Sequence, residues 1–119
     1  KYNIKKNYKR LFMSKKQISI LAKNKNIIGL HSHQHFPNLK KINYLEQLKD
    51  YKKNYNFIKK NVRITPSAAS YPFGRYNFDT IKIMKNLKIK IAFLSKPNER
   101  YSDLSIGRID HANLLRKIK

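Results

Sequence analysis

The sequence predicts an α/β fold with a parallel sheet, on a scale that holds about half of a (β/α) barrel. Three observations carry that reading. Short apolar runs alternate with longer amphipathic segments, the rhythm of βα units. The amphipathic segments open on residues suited to capping a helix. At 119 residues the chain is well short of the ~250 that a complete barrel uses.

The elements follow in order. Ser14-Lys15-Lys16-Gln17 has the form of a capping box, with Ile18 and Leu21 on one face behind it, so a helix is expected over 14–25. Ile27-Ile28-Gly29-Leu30 is a short apolar run that suits a buried strand. Asn43 is a cap followed three residues on by Glu46. Leu45, Leu48, Tyr51, Tyr55 and Ile58 then recur at helical spacing, predicting a long amphipathic helix over 44–60. Residues 67–71 read as a strand ending at Pro72, and Asn77 caps a third helix through Ile81, Met84 and Leu87. A strand is expected over 89–94, then a long polar loop over 95–105, and Asp110 caps a last helix through Leu114, Leu115 and Ile118. No repeat or linker divides the chain, so residues 1–119 are taken as one portion of a single domain.

Composition narrows the function classes. The 40% hydrophobic and 12% aromatic content suffices for a core, which sets the chain apart from disordered sequences. It has no run of 18 apolar residues, so no transmembrane helix is expected. Without cysteine, thiolate zinc sites and disulfides are excluded, and any metal falls to His, Asp or Glu. The formal charge of +22 admits a basic module that binds nucleic acid or acidic glycan. Lysine, however, supplies 22 of the 28 basic residues, and these spread along predicted helix faces. Arginine, the bidentate reader of phosphates and bases, occurs only six times. A nucleic-acid partner is therefore not expected.

Two clusters can carry chemistry. His31-Ser32-His33-Gln34-His35 gathers three of the four histidines directly after a predicted strand, where sites of parallel α/β folds assemble. Imidazole is the commonest metal ligand, so this cluster is the candidate metal site. His31 and His33, alternate residues of a strand, would suit an amidohydrolase-like site. His31 and His35 would instead suit a turn, held by the Ser32 hydroxyl on a backbone group. The second cluster is Ser70-Tyr71-Pro72-Phe73-Gly74-Arg75-Tyr76-Asn77, again a strand end before a helix start. Pro72 and Gly74 give it an unusual backbone path, which lets the Phe73 amide face a substrate oxyanion.

Together these clusters resemble the polysaccharide deacetylase (NodB-homology) family over roughly residues 11–113. His31-Ser32-His33-Gln34-His35 is similar to that family's His-Ser/Thr-x-x-His metal pair, and Phe36-Pro37-Asn38-Leu39 to its usual continuation. Tyr71-Pro72-Phe73-Gly74 is similar to its aromatic-Pro-aromatic-Gly segment. The resemblance implies a partial, distorted (β/α) barrel lacking its N-terminal strands. It implies a hydrolase that removes N-acetyl groups from amino sugars of a glycan, in a bacterial cytoplasm or cell envelope. His31 and His35 would hold a divalent metal, most often zinc, and the Phe73 amide would contact the oxyanion. Tyr71, Pro72, Phe73, Gly74 and Tyr76 would border the substrate.

The departures have consequences. The family's Asp-Asp pair, one the general base and the other a third ligand, would lie upstream of Lys1. The arginine that often opens the third motif is Ser70 here. The late Leu-x-His motif is not clearly present, and His111 in Ile109-Asp110-His111 is the candidate general acid. This chain by itself is expected to be inactive.

Overall fold

Three caps set the helices. The computed structural model describes residues 11–97, 102–109 and 114. Ser14 and Gln17 form the reciprocal capping box, and helix α1 runs Lys15–Lys23. The Asn43 side chain accepts the Glu46 amide at the start of α2, Tyr44–Val62. Asn77 and Thr80 cap each other at the start of α3, Phe78–Asn86. All three starts lie within a residue of those expected, because a cap is a local negotiation between a side chain and the first free amides.

The strands are shorter than their apolar runs. β1 is Ala68–Ser70 and β2 is Ile91–Phe93, paired in parallel with Ala69 opposite Ala92. Leu30 joins β1 through one parallel bridge to Ala69, and Ile106 joins β2 through another to Phe93. The sheet therefore runs in sequence order, 30–69–92–106, at the centre of a βα wind. The strand expected over 27–30 is corrected to its last residue. Ile27 is 76% exposed, and only Leu30 trades backbone bonds with the sheet, at 2.9 Å to Ala68 O and 2.8 Å from Ser70 N. Gly29 reflects how near the two backbones run, since a Cβ there would sit 2.9 Å from Ala68 O. The loop expected over 95–105 misses the last rung, which Ile106 supplies just beyond it. Asp110 and most of the predicted final helix lie outside the described residues.

The core lies between sheet and helices. Leu30, Ala69 and Ala92 meet Tyr51, Ile58 and Val62 of α2 and Ile83 and Met84 of α3, with Leu94 and Leu104 closing the far side. Each fully buried large apolar side chain contributes roughly 1.5–3 kcal/mol. Helix α2 packs against both α1 and α3. Gln47 of α2, fully buried, bonds Leu39 O, Ile42 O, Asn77 and the Thr80 hydroxyl. It ties α2 to α3 below the strand ends. Among the described residues no helix is long and apolar enough to cross a membrane.

Candidate metal and glycan site

Among the described residues six non-glycine positions have left-handed backbone, and sorting them by cause isolates the site. Lys25 (φ 62) and Lys88 (φ 57) follow the ends of α1 and α3, where Asn26 N bonds Leu21 O and Ile89 N bonds Met84 O. Those are ordinary helix terminations, and Arg63 (φ 61) ends α2 likewise. The remaining three are Ser32 (φ 63), His35 (φ 53) and Phe73 (φ 55). Each costs on the order of 1–2 kcal/mol, and such outliers gather where a site imposes them. All three belong to the two clusters read from the sequence, at the C-terminal ends of adjacent strands.

The histidine loop turns back so that the His31 and His35 rings meet, centroids 4.9 Å apart and inclined by 61°. His31 Nδ1 lies 2.8 Å from Ser70 O and 2.9 Å from Ser70 Oγ. A carbonyl oxygen only accepts, so a hydrogen bond to Ser70 O puts the hydrogen on Nδ1 and leaves Nε2 turned away from Ser70. Ser70 thus orients the ring. His33 points elsewhere, bordering a separate recess with Glu46, Lys49 and Lys53. The Ser32 hydroxyl accepts His35 N at 3.0 Å, the turn-holding contact that its position suggested.

Beside this pair stands the second cluster. The Phe73 ring packs edge-on to His35 at 5.1 Å, and Gly74 follows at φ +64. A Cβ on Gly74 would collide with Ser95 Oγ and lie 2.7 Å from Ser95 N, so no other residue fits this turn undistorted. Tyr71 and Pro72 need correcting as substrate contacts. Both are buried. Tyr71 donates its hydroxyl to Leu104 O at 2.8 Å and stacks on Tyr76 at 5.2 Å, so its ring has no face for a sugar. Burial, with Tyr76 beside it, pushes the Tyr71 hydroxyl well above the ordinary tyrosine range. Phe73, Gly74 and Tyr76 instead line an open cavity of about 870 Å³ with Asn38, Asn77 and Phe78. Phe78, 82% exposed, is a ring that the sequence reading missed, since its helical spacing does not reveal which face is uncovered.

The pair suits a metal in donor chemistry: two imidazoles, one of them oriented from behind by Ser70. It is short in number, since among the described residues no three of His, Cys, Asp and Glu stand close enough to hold an ion. His111, the candidate acid, lies outside the described residues.

A polysaccharide deacetylase family model matches residues 2–92. The chain belongs to the polysaccharide deacetylase family. A comparison with curated protein sequences finds no match. Solved structures share the fold of this deacetylase-family chain. The Streptococcus pyogenes deacetylase PplD in complex with acetate has a TM-score of 0.75 at 23% identity, over 90% of this chain and 51% of that one. The deacetylase domain of BpsB from Bordetella bronchiseptica gives 0.71 at 18%, over 82% and 48%. IcaB from Ammonifex degensii gives 0.71 at 16%, over 82% and 47%. The chain spans about half the length of these solved relatives, and its parallel-stranded fold is of their NodB type.

Proposed function

We propose that this chain carries the metal-ligand and substrate-binding part of a metal-dependent deacetylase that removes N-acetyl groups from amino sugars of a glycan. One observation carries the reading: His31 and His35, four residues apart, converge through two left-handed positions while His33 turns away. That favours the His31/His35 pair over the amidohydrolase-like His31/His33 alternative. A divalent metal, zinc by its taste for imidazole, would supply a Lewis acid that polarises the acetamide carbonyl and acidifies water. His31 would ligate through Nε2, and His35 through the nitrogen turned toward it. A carboxylate of the family's Asp-Asp motif would complete the donor set.

The other residues act on the substrate directly. The Phe73 amide donates toward the carbonyl oxygen as it gains negative charge. His111, as general acid, gives its proton to the amide nitrogen when the C–N bond breaks, leaving acetate and a free amine. The exposed Phe73 and Phe78 rings lie against sugar faces in the adjoining cavity, with Asn38, Tyr76 and Asn77 at its polar rim.

Zinc titration and acetate release from N-acetylglucosamine oligomers test this. In a full-length protein, His31→Ala and His35→Ala should each abolish stoichiometric zinc binding and activity, with His33→Ala sparing both. Equal loss from His33→Ala would favour the amidohydrolase-like arrangement. The present chain should bind zinc weakly and release no acetate. Robust zinc-dependent release by it would show the base to be misassigned.

A further inference from the structure

We infer that Asp50 and Asn54, one turn apart on α2, are positioning residues for the histidine pair, holding residues 31–35 in the shape that turns both rings to one ion. The inference rests on reading His31 and His35 as metal ligands. Asp50 is 3% exposed, and a buried carboxylate is tolerated only when its lone pairs are filled. Among the described residues the carboxylate's three hydrogen-bond partners all come from this loop. The Ser32 hydroxyl donates to Oδ2 at 2.7 Å, His33 N to Oδ2 at 2.9 Å and Gln34 N to Oδ1 at 2.9 Å.

The grip extends to the histidines. Ser32 Oγ, while donating to Asp50, accepts His35 N at 3.0 Å. One carboxylate therefore fixes the hydroxyl that fixes the second histidine. One turn further along α2, Asn54 Oδ1 accepts His31 N at 3.0 Å. Residues four apart share a helix face, so a single stripe of α2 holds both ends of the loop. Ser32 and His35 are the two strained positions of this loop, and charge-assisted bonds to Asp50 are what offset that strain. Among the described residues the Gln47 side chain, one turn earlier, bonds only Leu39, Ile42, Asn77 and Thr80. It supplies an internal control, buried and polar on the same helix but, among the described residues, without a side-chain hydrogen bond to residues 31–35.

Asp50→Asn tests the inference, because its amide puts donors where the loop also presents donors. Zinc affinity, measured by chelator competition, should fall by roughly 10–100-fold, the usual effect of losing an outer-shell partner. In metal-free protein, amide exchange at His33, Gln34 and His35 should quicken by roughly 10-fold or more through local opening. Gln47→Ala should lower the thermal midpoint while leaving zinc affinity and these amides as in the parent. A folded Asp50→Asn variant with parental zinc affinity would overturn the inference, even if its exchange quickens. Should Asp50→Asn not fold, Asn54→Ala decides: a severalfold affinity loss supports the stripe, and parental affinity overturns it. Undiminished zinc binding by both His31→Ala and His35→Ala would instead sink the metal reading. The exchange data would then still show whether Asp50 orders the loop.

Discussion

The two halves of the site are held by opposite means. The histidine loop is held by polar bonds to one face of α2, converging on a buried carboxylate. The aromatic turn at 71–75 is held mainly by fit: a buried Tyr71 and Pro72, left-handed Phe73 and Gly74, and Ser95 pressed against the Gly74 backbone. The first positions side chains that must converge, and directional bonds suit that task. The second, on the proposed function, would aim a backbone amide, and close packing suits that task. The loop should therefore respond to changes in charge and hydrogen bonding, and the turn to changes in volume.

The largest effect expected is at the turn. Gly74→Ala combines a left-handed Cβ with a collision at Ser95 and should destabilise by roughly 2–4 kcal/mol in denaturant unfolding. A loss below ~1 kcal/mol would mean that the turn relaxes easily, and the contrast would blur. Next comes Ser32→Ala, which strips Asp50 of one donor and His35 N of its acceptor. It should cost roughly 1–3 kcal/mol, with amide exchange rising at 33–35 and not at 72–75. Exchange rising equally in both segments would show one cooperative unit.

A smaller effect concerns one polar tie of the turn. Tyr71→Phe loses the bond to Leu104 O and should cost about 0.5–1.5 kcal/mol. Its pH dependence has a definite sign. The unfolded hydroxyl titrates near its ordinary 10.0, and burial raises the folded value above that. The stabilisation is thus complete below pH ~10 and is lost as pH rises further, because only the unfolded chain releases the proton. Alkaline unfolding of Tyr71→Phe should be correspondingly less steep. The smallest effect belongs to Tyr51, which borders both halves. Burial, with Tyr71 and Asp50 nearby, raises its pKa, and its buried hydroxyl has no partner among the described residues. Tyr51→Phe should leave stability unchanged or raise it by up to ~1 kcal/mol. A clear loss would reveal a bond to Tyr51 that joins the two halves.

What the sequence revealed was mostly what is decided locally. Ser14, Asn43 and Asn77 announced their helices because capping involves residues three apart. The histidine spacing and the Pro72/Gly74 pair announced the clusters for the same reason. Helix α2 was legible as a helix but not in its buried face. Leu45, counted into the apolar stripe, is 73% exposed, while Gln47 and Asp50 are buried. Periodicity assigns polar residues to solvent, and nothing in Gln47 or Asp50 advertises partners many residues away. The same blindness admitted Tyr71 as a sugar contact, since exposure of an aromatic in a turn depends on what packs over it. The strand over 27–30 was drawn too long because an apolar run records burial preference and carries no information on where a neighbouring backbone comes within bonding reach.

The sequential order of the sheet has a consequence for how the histidine loop is anchored. Among the described residues Leu30 pairs on one flank only, through a single bridge, whereas β1 is flanked on both. That bridge leads straight into His31. A helix with its own neighbours on both sides, α1 and α3, holds the histidine loop from behind. The loop is therefore anchored to the helical layer as well as to the strand that delivers it.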